Sequence, residues 1–144
     1  TLPLVIAQYE RQTTRRKFGT EHWSLAALLT CETGHIFEIT GCVGDYCYKP
    51  RGPTRLDANK TLRGACLVGS VTLEKLGWVE TALSSVDVPR GLPMETFNGQ
   101  TWVLDALKTL KTAKEAGIGI KELTSATIRL SLENELELWE TGDD

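Results

Sequence analysis

Two periods of apolar residues run through the chain. Residues 2–9, Leu-Pro-Leu-Val-Ile-Ala-Gln-Tyr, form a short apolar run that predicts a strand. A second run, Glu21-His22-Trp23-Ser24-Leu25-Ala26-Ala27-Leu28-Leu29, is apolar enough for a central strand. His35-Ile36-Phe37-Glu38-Ile39-Thr40 alternates and is rich in strand formers. Between these two, Glu32-Thr33-Gly34 suits a three-residue hairpin closed by a left-handed Gly. That turn sets Leu28 opposite Glu38 and Ala26 opposite Thr40. His22, Ser24, Ala26 and Leu28 then share a face with Ile36, Glu38, Thr40 and Cys42, and His35 falls on the other face.

Residues 41–48 read as a bent strand, their glycines suggesting a bulge. Residues 49–60, with prolines, glycines and charges, read as a loop. A buried strand is expected over 62–71. Thr72 is expected to cap a helix carrying Leu73, Leu76, Val79 and Leu83, which 86–93 ends.

The period then changes again. Trp102, Val103, Ala106, Leu107, Leu110 and Ala113 recur every three to four residues, the face of a helix docked on a core. Asn98 is a favoured N-cap, and Gly117 is the expected end of this helix. Residues 121–139 predict a last helix, although Ile128, Leu130 and Leu132 also alternate like a strand. An acidic tail, 141–144, follows. Together these elements predict one α+β domain over residues 1–144, an antiparallel β-sheet with helices packed on one side.

Composition adds mainly exclusions. A net charge of −3 gives no electrostatic case for nucleic acid. The basic cluster Arg15-Arg16-Lys17 is too short for a nucleic-acid footprint and reads as a solvated loop. No apolar run approaches the roughly 20 residues of a transmembrane segment. The opening Thr1-Leu2-Pro3-Leu4-Val5 does not resemble a signal peptide, though a secreted, already cleaved chain stays open.

Cys31, Cys42, Cys47 and Cys66 form no dense disulfide framework, and reduced, buried thiols in a cytoplasmic protein are expected. No Cys-x-x-Cys pair occurs and only His22 and His35 are available, so no metal site is expected. Nor is any cofactor: phosphate-loop, dinucleotide-binding and Gly-x-Ser-x-Gly motifs are absent, and Val68-Gly69-Ser70-Val71 lacks the second Gly.

What remains is His22-Trp23 at the start of a strand and Asn98-Gly99-Gln100-Thr101-Trp102-Val103 opening a later helix. This pairing resembles the permuted papain-like thiol hydrolases and acyltransferases, the group that includes lecithin–retinol acyltransferase. The longer string, continuing through Leu104-Asp105-Ala106-Leu107, is more closely similar to an uncharacterised group of small fungal proteins thought to share that fold.

The resemblance implies that His22 faces the helix start as a base and that a polar residue of the next strand orients it. Position 99 would then be that of a Cys nucleophile. Glu38 is chemically the best orienting residue, but the hairpin register sets it several residues from the rung opposite His22, and Thr40 and Cys42 stay open. Trp23, Asn98, Gln100 and Trp102 are the accompanying binding candidates.

Because position 99 holds Gly, the implied nucleophile is missing. Three functions follow. One is a catalytically degenerate relative whose cleft binds a small molecule, peptide or acyl ligand. Another is a hydrolase or acyltransferase whose Cys has been replaced by Gly in this chain. The last is a structural or interaction domain without a small-molecule site. The sequence sets no oligomeric state.

Overall fold

A computed structural model describes residues 1–10, 21–58 and 61–141. Arg15-Arg16-Lys17 and the acidic tail beyond residue 141 lie outside the described residues. In chain order come β1 (Leu2–Tyr9), β2 (His22–Leu28), β3 (Thr33–Phe37), β4 (Ile39–Cys42), β5 (Asp45–Tyr48), β6 (Arg51–Arg55) and β7 (Leu62–Val71). A 3-10 turn at Leu73–Lys75 leads into α1 (Leu76–Leu83), followed by α2 (Gly99–Ala113), β8 (Ile118–Ile120) and α3 (Ser125–Thr141). Six strands form one sheet in the order β6-β3-β2-β1-β7-β8, every neighbour antiparallel. Strands β4 and β5 form a separate hairpin, with Gly44 supplying a positive φ in its two-residue turn.

Alternation along β1 divides the core. Leu4, Ile6, Trp23, Leu25, Ala27 and Phe37 belong to one buried cluster with Leu83 of α1, Trp102, Val103 and Leu110 of α2, and Ile128 and Leu132 of α3. Val5, Ala26, Ile36 and Leu56 form a smaller cluster on the other face, with no helical residue in it. The architecture is thus a mixed α+β domain, an antiparallel sheet with its helices packed against it. Each fully buried large side chain of the main cluster contributes about 1.5–3 kcal/mol relative to exposure.

Local chemistry sets where α2 begins and ends. Asn98 is its N-cap, accepting from the Gln100 and Thr101 N–H groups, while the Thr101 hydroxyl accepts from the Asn98 N–H in a reciprocal capping box. The helix ends before Gly117. Lys114 takes the left-handed conformation (φ 51°) instead, and Gly117 (φ 85°) lets the chain pass close to Thr72, where a Cβ would lie 2.7 Å from Thr72 Oγ1. Thr72 makes no side-chain cap, so the segment it opens starts as the 3-10 turn and becomes α-helical only at Leu76.

Other expectations change where tertiary contacts intervene. The loop expected over 49–60 contains β6, an edge strand that tolerates Pro53 and carries Arg51 and Arg55. β8, unforeseen, makes the opposite edge. The ambiguous alternation at Ile128–Leu132 resolves as helix, because Ile128, Leu132 and Leu136 are buried at four-residue spacing while Leu130 is exposed.

Cysteine burial also differs from expectation. All four thiols are free, but Cys31, Cys42 and Cys47 are exposed and only Cys66 is buried, beside Ile6 on the helix-covered face. Native protein is therefore expected to release three equivalents quickly with a thiol reagent and the fourth on denaturation. A single fast equivalent, or none, would contradict this arrangement.

Candidate functional site

The β2–β3 turn decides what stands beside His22. The three-residue loop is Thr30-Cys31-Glu32, not Glu32-Thr33-Gly34, because the Thr30 hydroxyl accepts the Glu32 and Thr33 N–H groups and closes the turn early. Leu28 accordingly pairs with Gly34 and Ala26 with Ile36. Gly34 keeps an ordinary φ and is needed for contact, since a Cβ there would lie 2.4 Å from the Ala27 carbonyl oxygen. The register moves by an even number of residues, so the β3 side chains keep their faces, whereas Thr40 and Cys42, expected on the His22 face, leave the sheet for the β4–β5 hairpin. Glu38, however, is carried toward the start of β2.

Glu38 sits where the chain leaves β3 for the β4–β5 hairpin, and its carbonyl accepts the Lys49 N–H at 2.8 Å. Its carboxylate is 1% exposed and engages two side chains, one through each oxygen. Oε1 lies 2.8 Å from His22 Nε2, and Oε2 accepts from the Arg51 guanidinium at 2.8 Å. Of the three candidates from the sequence, Glu38 is the one in contact with His22. Cys42 is exposed on the hairpin, and Thr40 is paired with Cys47.

A carboxylate accepting the Nε2–H fixes the neutral imidazole in the tautomer whose Nδ1 carries the lone pair. That Nδ1 is aimed at the first residue of α2. A Cβ built on Gly99 would lie 3.0 Å from His22 Nδ1 and 3.4 Å from the Trp23 carbonyl oxygen. Gly99 is buried, and its φ is not in the left-handed region, so a side chain there meets a tight fit but no backbone strain. The Asn98 cap uses the Gln100 and Thr101 N–H groups and leaves out that of Gly99.

Tyr9 pairs with His22 across β1 and β2, their ring centroids 6.0 Å apart. Burial pushes the Tyr9 phenol above its ordinary pKa, with the nearby Ser24 hydroxyl partly opposing it. It is therefore a neutral phenol at physiological pH. The His22 side chain is 19% exposed and so reaches solvent.

The remaining candidates hold the frame. Trp23 and Trp102 are buried; Trp23 Nε1–H donates to Gln8 Oε1, and the Trp102 ring packs 5.5 Å from Tyr48. Gln100 Nε2 donates to the Glu21 carbonyl at 2.8 Å, and its Oε1 accepts from Arg129 of α3. The same Arg129 stands over the Trp23 ring at 5.2 Å. Gln8 Nε2 completes the brace by donating to the Arg63 and Leu132 carbonyls.

Sequence reasoning missed Arg51, Arg129 and Gln8. Gln8 had a signal, a lone amide inside an apolar strand, which when buried must find partners. Arg51 had none, because its strand was concealed in a loop-like composition.

Among the described residues, no group of three His, Cys, Asp or Glu side chains is disposed to hold a metal ion. No described helix is long and apolar enough to cross a membrane. Among known protein families, the profile described as Family of unknown function (DUF6540) matches residues 6–115. No curated protein and no solved structure matches the chain.

Proposed function

The chain belongs to the DUF6540 family, and we propose that it is a nucleophile-less relative of the permuted papain-like thiol hydrolases and acyltransferases, retaining the cleft as a ligand site. One distance carries this reading: the 3.0 Å between His22 Nδ1 and a Cβ at position 99. A thiol there would stand at the positive end of α2 and beside an imidazole backed by Glu38. That is the environment that turns a thiol of pKa about 8.5 into a thiolate at neutral pH.

With Gly99, the His22–Glu38 pair has no hydroxyl or thiol on that residue to activate. What the site offers instead is recognition. His22 Nδ1 accepts a hydrogen bond when neutral and donates one when protonated, and the Gly99 N–H adds a donor. A peptide or acyl ligand presenting a small polar end is the chemistry these groups suit.

The test is turnover. With a panel of p-nitrophenyl esters and fluorogenic peptides, the protein is expected to show no hydrolysis that depends on His22. First-turn N–H groups alone stabilise an oxyanion but supply no attacking atom. Hydrolysis abolished by His22→Ala would sink the degenerate reading and require a nucleophile other than residue 99.

A further inference from the structure

A second site lies at the other end of α2. Lys108 lies nine residue steps beyond Gly99, about 14 Å along a helix rising 1.5 Å per residue. There a half-open cavity of about 190 Å³ is enclosed by the second half of α2, the β8 edge and the start of α3. Its floor is apolar, with Leu107, Ile120 and Ile128 among its walls, and every charged residue lining it is a lysine: Lys108, Lys111 and Lys121.

We propose that this cavity binds a single-chain anionic amphiphile, an alkyl chain ending in a carboxylate or comparable anion. The argument is charge complementarity over an apolar floor. The chain as a whole carries −3, yet no carboxylate lines this cavity. Glu122 engages Lys111 from an exposed position, whereas among the described residues Lys108 and Lys121 have no ion-pair partner. The cavity also takes in Ser125, the first residue of α3, so the positive end of that helix adds to the field.

Volume limits the ligand. Drug-sized ligands sit in pockets of roughly 300–1,000 Å³, and an engineered apolar cavity of about 150 Å³ holds benzene. A cavity of about 190 Å³ therefore suits one short or medium alkyl chain and excludes a two-chain lipid. Because the cavity is open at its lysine rim, the anion remains at the surface and costs little desolvation.

The experiment is an amide chemical-shift titration of the intact protein with sodium decanoate and decyltrimethylammonium, each below its micelle concentration. Decanoate is expected to bind saturably, moving amides within 104–111 and 118–128. Its affinity should exceed that of the cationic analogue by about tenfold or more, and Lys108→Gln with Lys121→Gln should remove most of that preference. Three results would overturn the proposal: no saturable decanoate binding, equal affinity for the cation, or amide changes centred on His22 and Gly99. The last would move the ligand to the first site, so the two proposals fail separately.

Discussion

A cysteine introduced by Gly99→Cys is expected to titrate well below a free thiol, its iodoacetamide-labelling midpoint falling from about 8.5 to between roughly 5.5 and 7.5. Two effects act in the same direction. The α2 N-terminus presents partial positive charge to a thiolate, and His22 Nδ1, 3.0 Å from the position of the new Cβ, pairs with it as imidazolium. A midpoint lower by one pH unit means that the ionised form is favoured by about 1.4 kcal/mol.

The fit costs a displacement of a few tenths of an ångström at the His22 ring, which is a side chain. No left-handed backbone has to be forced on the new residue. Gly99→Ala, carrying the Cβ alone, serves as the stability control. Adding His22→Ala to Gly99→Cys should return the midpoint most of the way, leaving only the helix contribution. A midpoint near 8.5 with His22 present would mean that the imidazole and position 99 do not communicate, and the papain-like reading would fall with it.

Glu38→Ala is expected to destabilise the protein by roughly 3 kcal/mol, at the lower end of the loss seen when one partner of a buried ion pair is removed. In a domain of this size that corresponds to about 6–12 °C in Tm. The lower end applies because Arg51 is 30% exposed and regains some hydration, while Glu38 itself is 1% exposed. Glu38→Gln keeps the volume and part of the hydrogen bonding, and should lose less.

The same substitutions bear on the site. Without the carboxylate at Nε2, His22 loses the partner that fixes its tautomer and its ring. In the Gly99→Cys background, Glu38→Gln should therefore move the labelling midpoint back upward. A Tm change under about 2 °C for Glu38→Ala, measured by calorimetry, would show that the His22–Glu38–Arg51 arrangement is not held together in solution.

Much of this arrangement was legible in the sequence because it is local. Short apolar runs bounded by polar or turn-forming residues place β1, β2 and β7 by themselves, since a strand buried on both faces needs no polar alternation. The three-to-four period, with Asn98 before it, marks the start of α2, because an uncapped first turn leaves its N–H groups without partners. Even the faces of His22 and Glu38 followed from parity alone, and parity survived the misplaced turn.

Only the folded structure decided the rest: one side-chain bond local to a turn, which no period reveals, and contacts between residues distant in the chain. The Thr30 hydroxyl moved the β2–β3 turn and so brought Glu38 to His22. An edge position admitted Pro53 to a strand and delivered Arg51 to Glu38. Packing against Thr72 gave Gly117 a role outside α2, while Lys114 ended the helix. The meeting of His22 with Gly99 joins residues far apart in the chain, and no period or capping rule reaches across that separation.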